Sequence, residues 1–259
     1  MLRVFAHANP TDVIQPLILA VAVALLLVYL FLAYGPLRKP FPERTKVPGR
    51  QVFTFVCGSA TMYLSFGGPL DYLSDNYLFS VHMVQHMVEI LIMTPLLMYG
   101  TPRWMVDPLM RVTWFRRLMQ FCVHPITASV IFMGVLNLFH LPALYDLALR
   151  NDAFHFFEHL SFFVVSLFFW LARRPLTPGQ RLIYLIFNYN LMMPLVVFML
   201  LAQAPWYTYY VTQPRIYPWL TPLLDQQLGG LVMAITMMGA FAILGIRAYW
   251  RQDESVWYT

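Results

Sequence analysis

Seven apolar stretches divide the chain, over about 13–34, 51–68, 78–99, 121–141, 152–172, 182–203 and 225–246. Each is close to the roughly 20 residues that a helix needs to cross a bilayer. Gly, Pro and charged residues punctuate them: Gly35-Pro36 closes the first, Pro69-Leu70-Asp71 the second, Gly100-Thr101-Pro102 the third, Leu141-Pro142 the fourth and Arg173-Arg174-Pro175 the fifth. The pattern predicts an all-α polytopic membrane protein, one seven-helix transmembrane domain spanning residues 1–259. The first stretch is too long for the apolar core of a signal peptide, and Gly35-Pro36 is not a small-x-small cleavage site, so it reads as a retained span. Residues 106–120 are amphipathic and basic, as a helix lying on a membrane surface would be.

Polar side chains break this pattern at a few places. The third stretch contains SVHMVQHMVE, in which His82 and His86 lie four residues apart on one helix face, with Glu89 continuing that face. The fifth contains FHFFEH, where His155 and His159 repeat the spacing around Glu158. Imidazoles and carboxylates inside hydrocarbon-length helices are costly unless paired or bound, so such groups mark function.

Composition supports the membrane reading: 59% of residues are hydrophobic and 11% charged. The basic excess, 17 Lys and Arg against 12 Asp and Glu, sits in particular loops and reports orientation, not nucleic-acid binding. If the N-terminus lies outside, the outer segments hold Arg3, Arg150 and Arg215, and the inner ones hold all the others, including Arg38, Lys39, Arg44, Arg103 and Arg111. The positive-inside rule therefore places the N-terminus outside, in the periplasm, and the C-terminus in the cytoplasm. Residues 204–224 are rich in aromatics (Trp206, Tyr207, Tyr209, Tyr210, Tyr217, Trp219) suited to the headgroup level. The two cysteines, Cys57 and Cys122, fall at helix starts and read as small core residues.

In this orientation the third and fifth helices enter from outside. His82 and His86 then lie roughly 6–12 Å below the surface at about 1.5 Å per residue, and His155 and His159 lie at a matching depth. The fourth helix, running outward, brings His140 to the same level. Five histidines from three helices in one slab point to a metal site. Met62, Met83, Met87 and Met233 reach that slab as well, and thioether with imidazole suits copper, particularly Cu(I). Glu158 or Asp146 is placed to accept the far ring N–H of a metal-bound histidine. Glu89 is deeper, either a proton-linked group or a partner for Asn137, Asn188 or Asn190. His124 falls at the opposite end of the fourth helix, and His7 lies on the N-terminal arm.

SVHMVQHM, PLLMYGTP, HLPALYDLAL, FHFFEHLSFF and DQQLGGLVM together resemble the bacterial cytochrome c oxidase assembly family called CtaG, of the caa3-oxidase type, over nearly the whole chain. Two positions depart from that family's pattern. Ala234 stands where a Trp commonly follows the helix-seven Met, and Trp170 stands alone where a pair is common. The resemblance implies a multi-pass protein of the bacterial inner membrane that is not an enzyme. It would help assemble a haem–copper oxidase by binding copper at His82, His86, His140, His155 and His159. Its partners would be oxidase subunits and periplasmic copper chaperones, with no nucleic acid. Two other readings fit the residues: b-type haem held by one histidine from each of the third and fifth helices, and a zinc-dependent membrane hydrolase with Glu158 or Asp146 as base.

Overall fold

The computed structural model describes residues 9–35 and 46–256, with side chains described up to residue 250. His7, Arg3, Arg38, Lys39 and Arg44 lie outside the described residues. Among those described there are helices and no strands. After a one-turn helix at Pro10–Ile14, the long helices are α1 (Pro16–Ala33), α2 (Gly49–Phe66), α4 (Phe79–Gly100), α7 (Pro125–Phe139), α9 (Asp152–Arg173), α10 (Pro178–Leu201) and α12 (Pro222–Val256). Shorter helices join them: α3 (Pro69–Asn76), α5 (Arg103–Met110), α6 (Thr113–Cys122), α8 (Pro142–Arg150) and α11 (Thr208–Thr212). Proline opens α1, α3, α7, α8 and α10, where its missing N–H costs nothing and its fixed φ suits the first turn.

A helix therefore stands at each expected span, but not all are long and apolar enough to cross a bilayer by that measure alone. Five described helices are, or six if α6 and α7 count as one bent span. Helix α2 begins with the polar residues Arg50 and Gln51, and α7 has only 15 residues. The fourth span was expected from about residue 121, yet α6 carries on to Cys122 and α7 starts at Pro125, with a 77° bend between them. Proline holds the preceding His124 in extended backbone, and that ends the helix there.

Helix α4 is the axis of the bundle, with 61% of its apolar window buried against 39% or less in the other candidate spans. Its first half packs on α12 and its second half on α2. Two glycines make the α2 contact possible: a Cβ on Gly100 would fall 2.6 Å from the Phe55 backbone, and one on Gly58 would fall 2.9 Å from the Leu97 nitrogen. Tyr29 of α1 stacks on Phe55 with ring centroids 3.8 Å apart and donates its hydroxyl to the Gly100 carbonyl. Large apolar side chains such as Phe53, Phe156, Ile183 and Phe198 face outward, as lipid-facing residues do. Both cysteines are free, Cys122 buried and Cys57 half-buried.

Candidate metal centre

The first turn of α4 is held from another helix. Its own N-cap residue, Leu78, supplies no side-chain cap. Asp225, near the start of α12, accepts the backbone N–H groups of Phe79 and Ser80 at 2.8 and 3.1 Å, and the Ser80 hydroxyl at 2.5 Å. A carboxylate at a helix N-terminus satisfies orphan donors and favours the dipole. This contact fixes the start of the segment that carries His82 and His86.

Ten residues further on, α4 departs from α-geometry. Glu89–Met93 forms a π turn, and the Thr94 N–H reaches back five residues to the Glu89 carbonyl. In that register Pro95 would be the next donor, to the Ile90 carbonyl, and proline has no N–H. The Trp170 indole of α9 donates to that carbonyl instead, at 2.8 Å. Ser166 of α9 donates to the Thr94 hydroxyl, which donates to the Glu89 carbonyl. The widened turn and its two α9 contacts fix the point from which the Glu89 side chain departs.

Four histidines meet between α4 and α9. Ring centroids lie 4.3 Å apart for His82 and His86, 4.6 Å for His155 and His159, 5.0 Å for His86 and His159, and 5.4 Å for His82 and His155. Two carboxylates divide their Nδ1 atoms between them. Asp75, from α3, lies 3.7 Å from His82 Nδ1 and 3.6 Å from His155 Nδ1. Glu89 accepts the His159 Nδ1–H at 3.0 Å and lies 3.9 Å from His86 Nδ1. The Nε2 edges are left on the other side. His155 and His159 bring theirs to 3.0 Å of each other, and His86 Nε2 lies 3.8 Å from Glu158.

These groups are buried and under-used. His82, His86, Glu89 and Glu158 are fully buried. Both ring nitrogens of His82 and of His86, both Glu158 oxygens and Glu89 Oε1 have no hydrogen-bond partner. Such orphans are rare in folded proteins, and seven at one place call for a ligand. Three overlapping sets among the described residues could each hold an ion: His82, His155 and His159; His82, His86 and Glu158; His86, Glu89 and His159.

The other expected residues are placed elsewhere. His140 is buried beside the cluster, its ring 5.9 Å from His86, but its Nδ1–H donates to the Leu136 carbonyl and its Nε2 faces Met83 Sδ at 3.3 Å. Met87 and Met233 are buried in the main apolar core, and Met62 packs with the separate cluster around Tyr29 and Phe55. Asp146 caps α11, accepting the backbone N–H groups of Thr208 and Tyr209 and the Thr208 hydroxyl. Glu89 pairs with histidine and not with asparagine. Asn188 bonds Ser129 and Tyr184, while Asn137 and Asn190 bond carbonyls four residues back. His124 is the N-cap residue of α7, at the opposite end of that helix from His140.

The aromatic segment differs from the expectation of an interfacial belt. Tyr207 and Tyr210 are buried over Phe79 and Tyr145, and Tyr145 lies 5.3 Å from the His82 ring. The Tyr207 hydroxyl donates to the His140 carbonyl, and that of Tyr210 to the Ser74 carbonyl. Their phenols have hydrogen-bond partners in the protein, so they roof this end of the bundle, whereas Trp219 stays exposed.

Uncharacterized proteins of Mycobacterium bovis and Mycobacterium tuberculosis are each 26% identical over 236 residues, and one of Mycobacterium leprae is 26% identical over 235. The match takes in 80% of this chain but 35% of each relative, so the chain spans about a third of their length. No solved structure matches it. The family model described as "Cytochrome c oxidase caa3 assembly factor (Caa3_CtaG)" matches residues 27–252, most of the chain, and the chain belongs to that family.

Proposed function

We propose that this protein binds copper at the four-histidine centre and hands it on during assembly of a haem–copper oxidase. The supporting observation is the set of orphaned imidazole and carboxylate atoms between α4 and α9. The 3.0 Å separation of His155 and His159 Nε2 suits two nitrogens sharing one ion, since bonds of about 2.0 Å at angles near 90–110° put ligands about 2.8–3.3 Å apart. His82, His86, His155 and His159 would supply the donors, and Asp75 and Glu89 would hold the far N–H groups and fix each tautomer. Imidazole with carboxylate suits Cu(II) as well as Cu(I), and the Met83 thioether is turned to His140. His140 would serve beside the centre and not within it.

The chain would cross the bacterial inner membrane seven times with its N-terminus in the periplasm, α2 and the bent α6–α7 pair making up the count. Basic residues then concentrate on the cytoplasmic side, and the centre opens toward the periplasm, where oxidase subunits and copper chaperones could exchange with it. A second reading, a zinc-dependent hydrolase, draws on Glu158, whose unpartnered carboxylate beside histidines could serve a metal-bound water. A haem between the helices is disfavoured: Phe162 lies 4.6 Å from the His86 ring and Phe66 4.7 Å from the His159 ring, filling the flanks of the cluster.

Metal analysis of the purified protein tests the reading. Stoichiometric copper in the unaltered chain, lost in the His82→Ala, His155→Ala double variant, is the expected result. In cells that variant should leave oxidase polypeptides present but copper-deficient. Zinc without copper would favour the hydrolase, and full copper retention in the double variant would overturn the metal centre.

A further inference from the structure

A cleft of about 480 Å³ opens between the N-terminal turn and α3, lined by Thr11, Asp12, Gln15, Asp71, Asp75 and Asn76 among others. No lysine, arginine or histidine lines it. Its walls are tied together. Gln15 takes up a left-handed backbone (φ 47°) between the first turn and α1, and its side-chain amide donates to Asp71 at 2.5 Å. The other Asp71 oxygen accepts from Gln85 of α4 at 2.8 Å, so this carboxylate is fixed in place. Asp75 is different. Its side chain is 26% exposed, it lines the cleft, and it also lies within 3.7 Å of His82 and His155. Behind it stands His82, fully buried with neither ring nitrogen hydrogen-bonded.

We propose that this cleft is the port through which a hydrated transition-metal cation reaches the histidine centre, with Asp75 as the group that passes it inward; this rests on the metal-binding reading above. Carboxylates of one sign in a walled cleft raise the local cation concentration and the rate of capture. At about 30 Å³ per water the volume admits an ion with its hydration shell. Asp75 offers an oxygen that can replace one of those waters while the ion is still wet. The histidine centre begins directly behind this carboxylate, where His82 and His155 turn their Nδ1 atoms to it, so an ion released from Asp75 has only the width of those two rings to cross before it meets the Nε2 edges. Asp12 sits on the opposite wall and touches none of the histidines, so it acts on capture alone.

The test is quenched-flow uptake of Cu(II) by the full chain in detergent, stopped with a chelator. Asp12→Asn should slow uptake several-fold and flatten its salt dependence, with the final copper per chain that of the unaltered protein. Asn76→Trp, a steric plug, should slow uptake with the same endpoint. Asp75→Asn should lower both rate and endpoint. Asp107→Asn, on α5 away from the cleft, should change nothing. Uptake at the unaltered rate in both Asp12→Asn and Asn76→Trp, with binding still lost in His82→Ala, would overturn the port and leave the centre standing. Failure of the unaltered chain to take up copper would overturn the centre, and the port with it.

Discussion

Trp170 donates its indole N–H to the Ile90 carbonyl, at the point where proline leaves the α4 backbone without a donor. Trp170→Phe keeps most of the ring and removes that donor, leaving a buried carbonyl unpaired at a cost of about 1–3 kcal/mol. A lower midpoint in thermal unfolding is expected. Because the same turn carries Glu89, copper affinity should fall as well, while Trp250→Phe at the exposed end of α12 should alter neither.

Glu89→Gln tests the outer carboxylate separately from the ligands. The amide fills the same space but carries no charge for the Nδ1–H groups of His86 and His159. Copper affinity should drop about 10–100-fold, as when other such partners are removed, with the metal count at saturation unchanged. An unchanged dissociation constant would show that Glu89 only fills space.

Replacing one of His82, His86, His155 and His159 by alanine should weaken copper binding strongly, and a second replacement should cost much less than the first. Residues serving one site are non-additive. His124→Ala should bind as the unaltered chain does. Additive losses across the four would mean separate sites.

Burial pushes the Asp71 carboxyl up to about 6, although hydrogen bonds from Gln85 and Gln15 pull it down. A raised carboxyl means that the folded chain keeps a proton the unfolded chain has released. Its stabilising contribution is therefore complete below the ordinary value of 3.8 and is lost as pH rises through about 6. The thermal midpoint of the unaltered chain should fall between about pH 4 and 6 more steeply than that of Asp71→Asn. Asp75 does not drop out of the difference, because the Asp71 charge helps to raise its carboxyl, so the comparison reports the two carboxylates together. Parallel curves would exclude the effect.

Orientation is tested by single cysteines in a Cys57→Ser, Cys122→Ser background. Thr212→Cys, exposed at the aromatic end, should react with a membrane-impermeant thiol reagent in intact cells, and Gly179→Cys, exposed in the first turn of α10, should not. The reverse labelling would put the histidine centre on the cytoplasmic side.

Much of the site is legible in the sequence because helices impose their spacing. The pairs His82/His86 and His155/His159 had to share faces, and both lie early in their helices, so their depths match once the two helices run parallel. Asp75 was not legible: it comes from a short connecting helix, and only tertiary packing turns it toward two helices at once. His140 has the right depth but the wrong partner, because its ring folds back on the carbonyl of its own helix. Tyr207 and Tyr210 look interfacial by composition, and what buries them is the fold of the connection around Phe79. The π turn is likewise hidden, although Pro95 marks the place where regular pairing must fail.

The clamp of Asp225 on Phe79 and Ser80 has a consequence for biosynthesis. Its carboxylate lies almost 150 residues downstream of the backbone it holds, at the start of α12, and so leaves the ribosome long after α4. Until that helix is inserted, the opening turn of α4 has no cap, and the histidines it carries have no fixed place. A nascent chain would thus be a poor trap for stray metal, and competence to bind would arrive only with completion of the bundle.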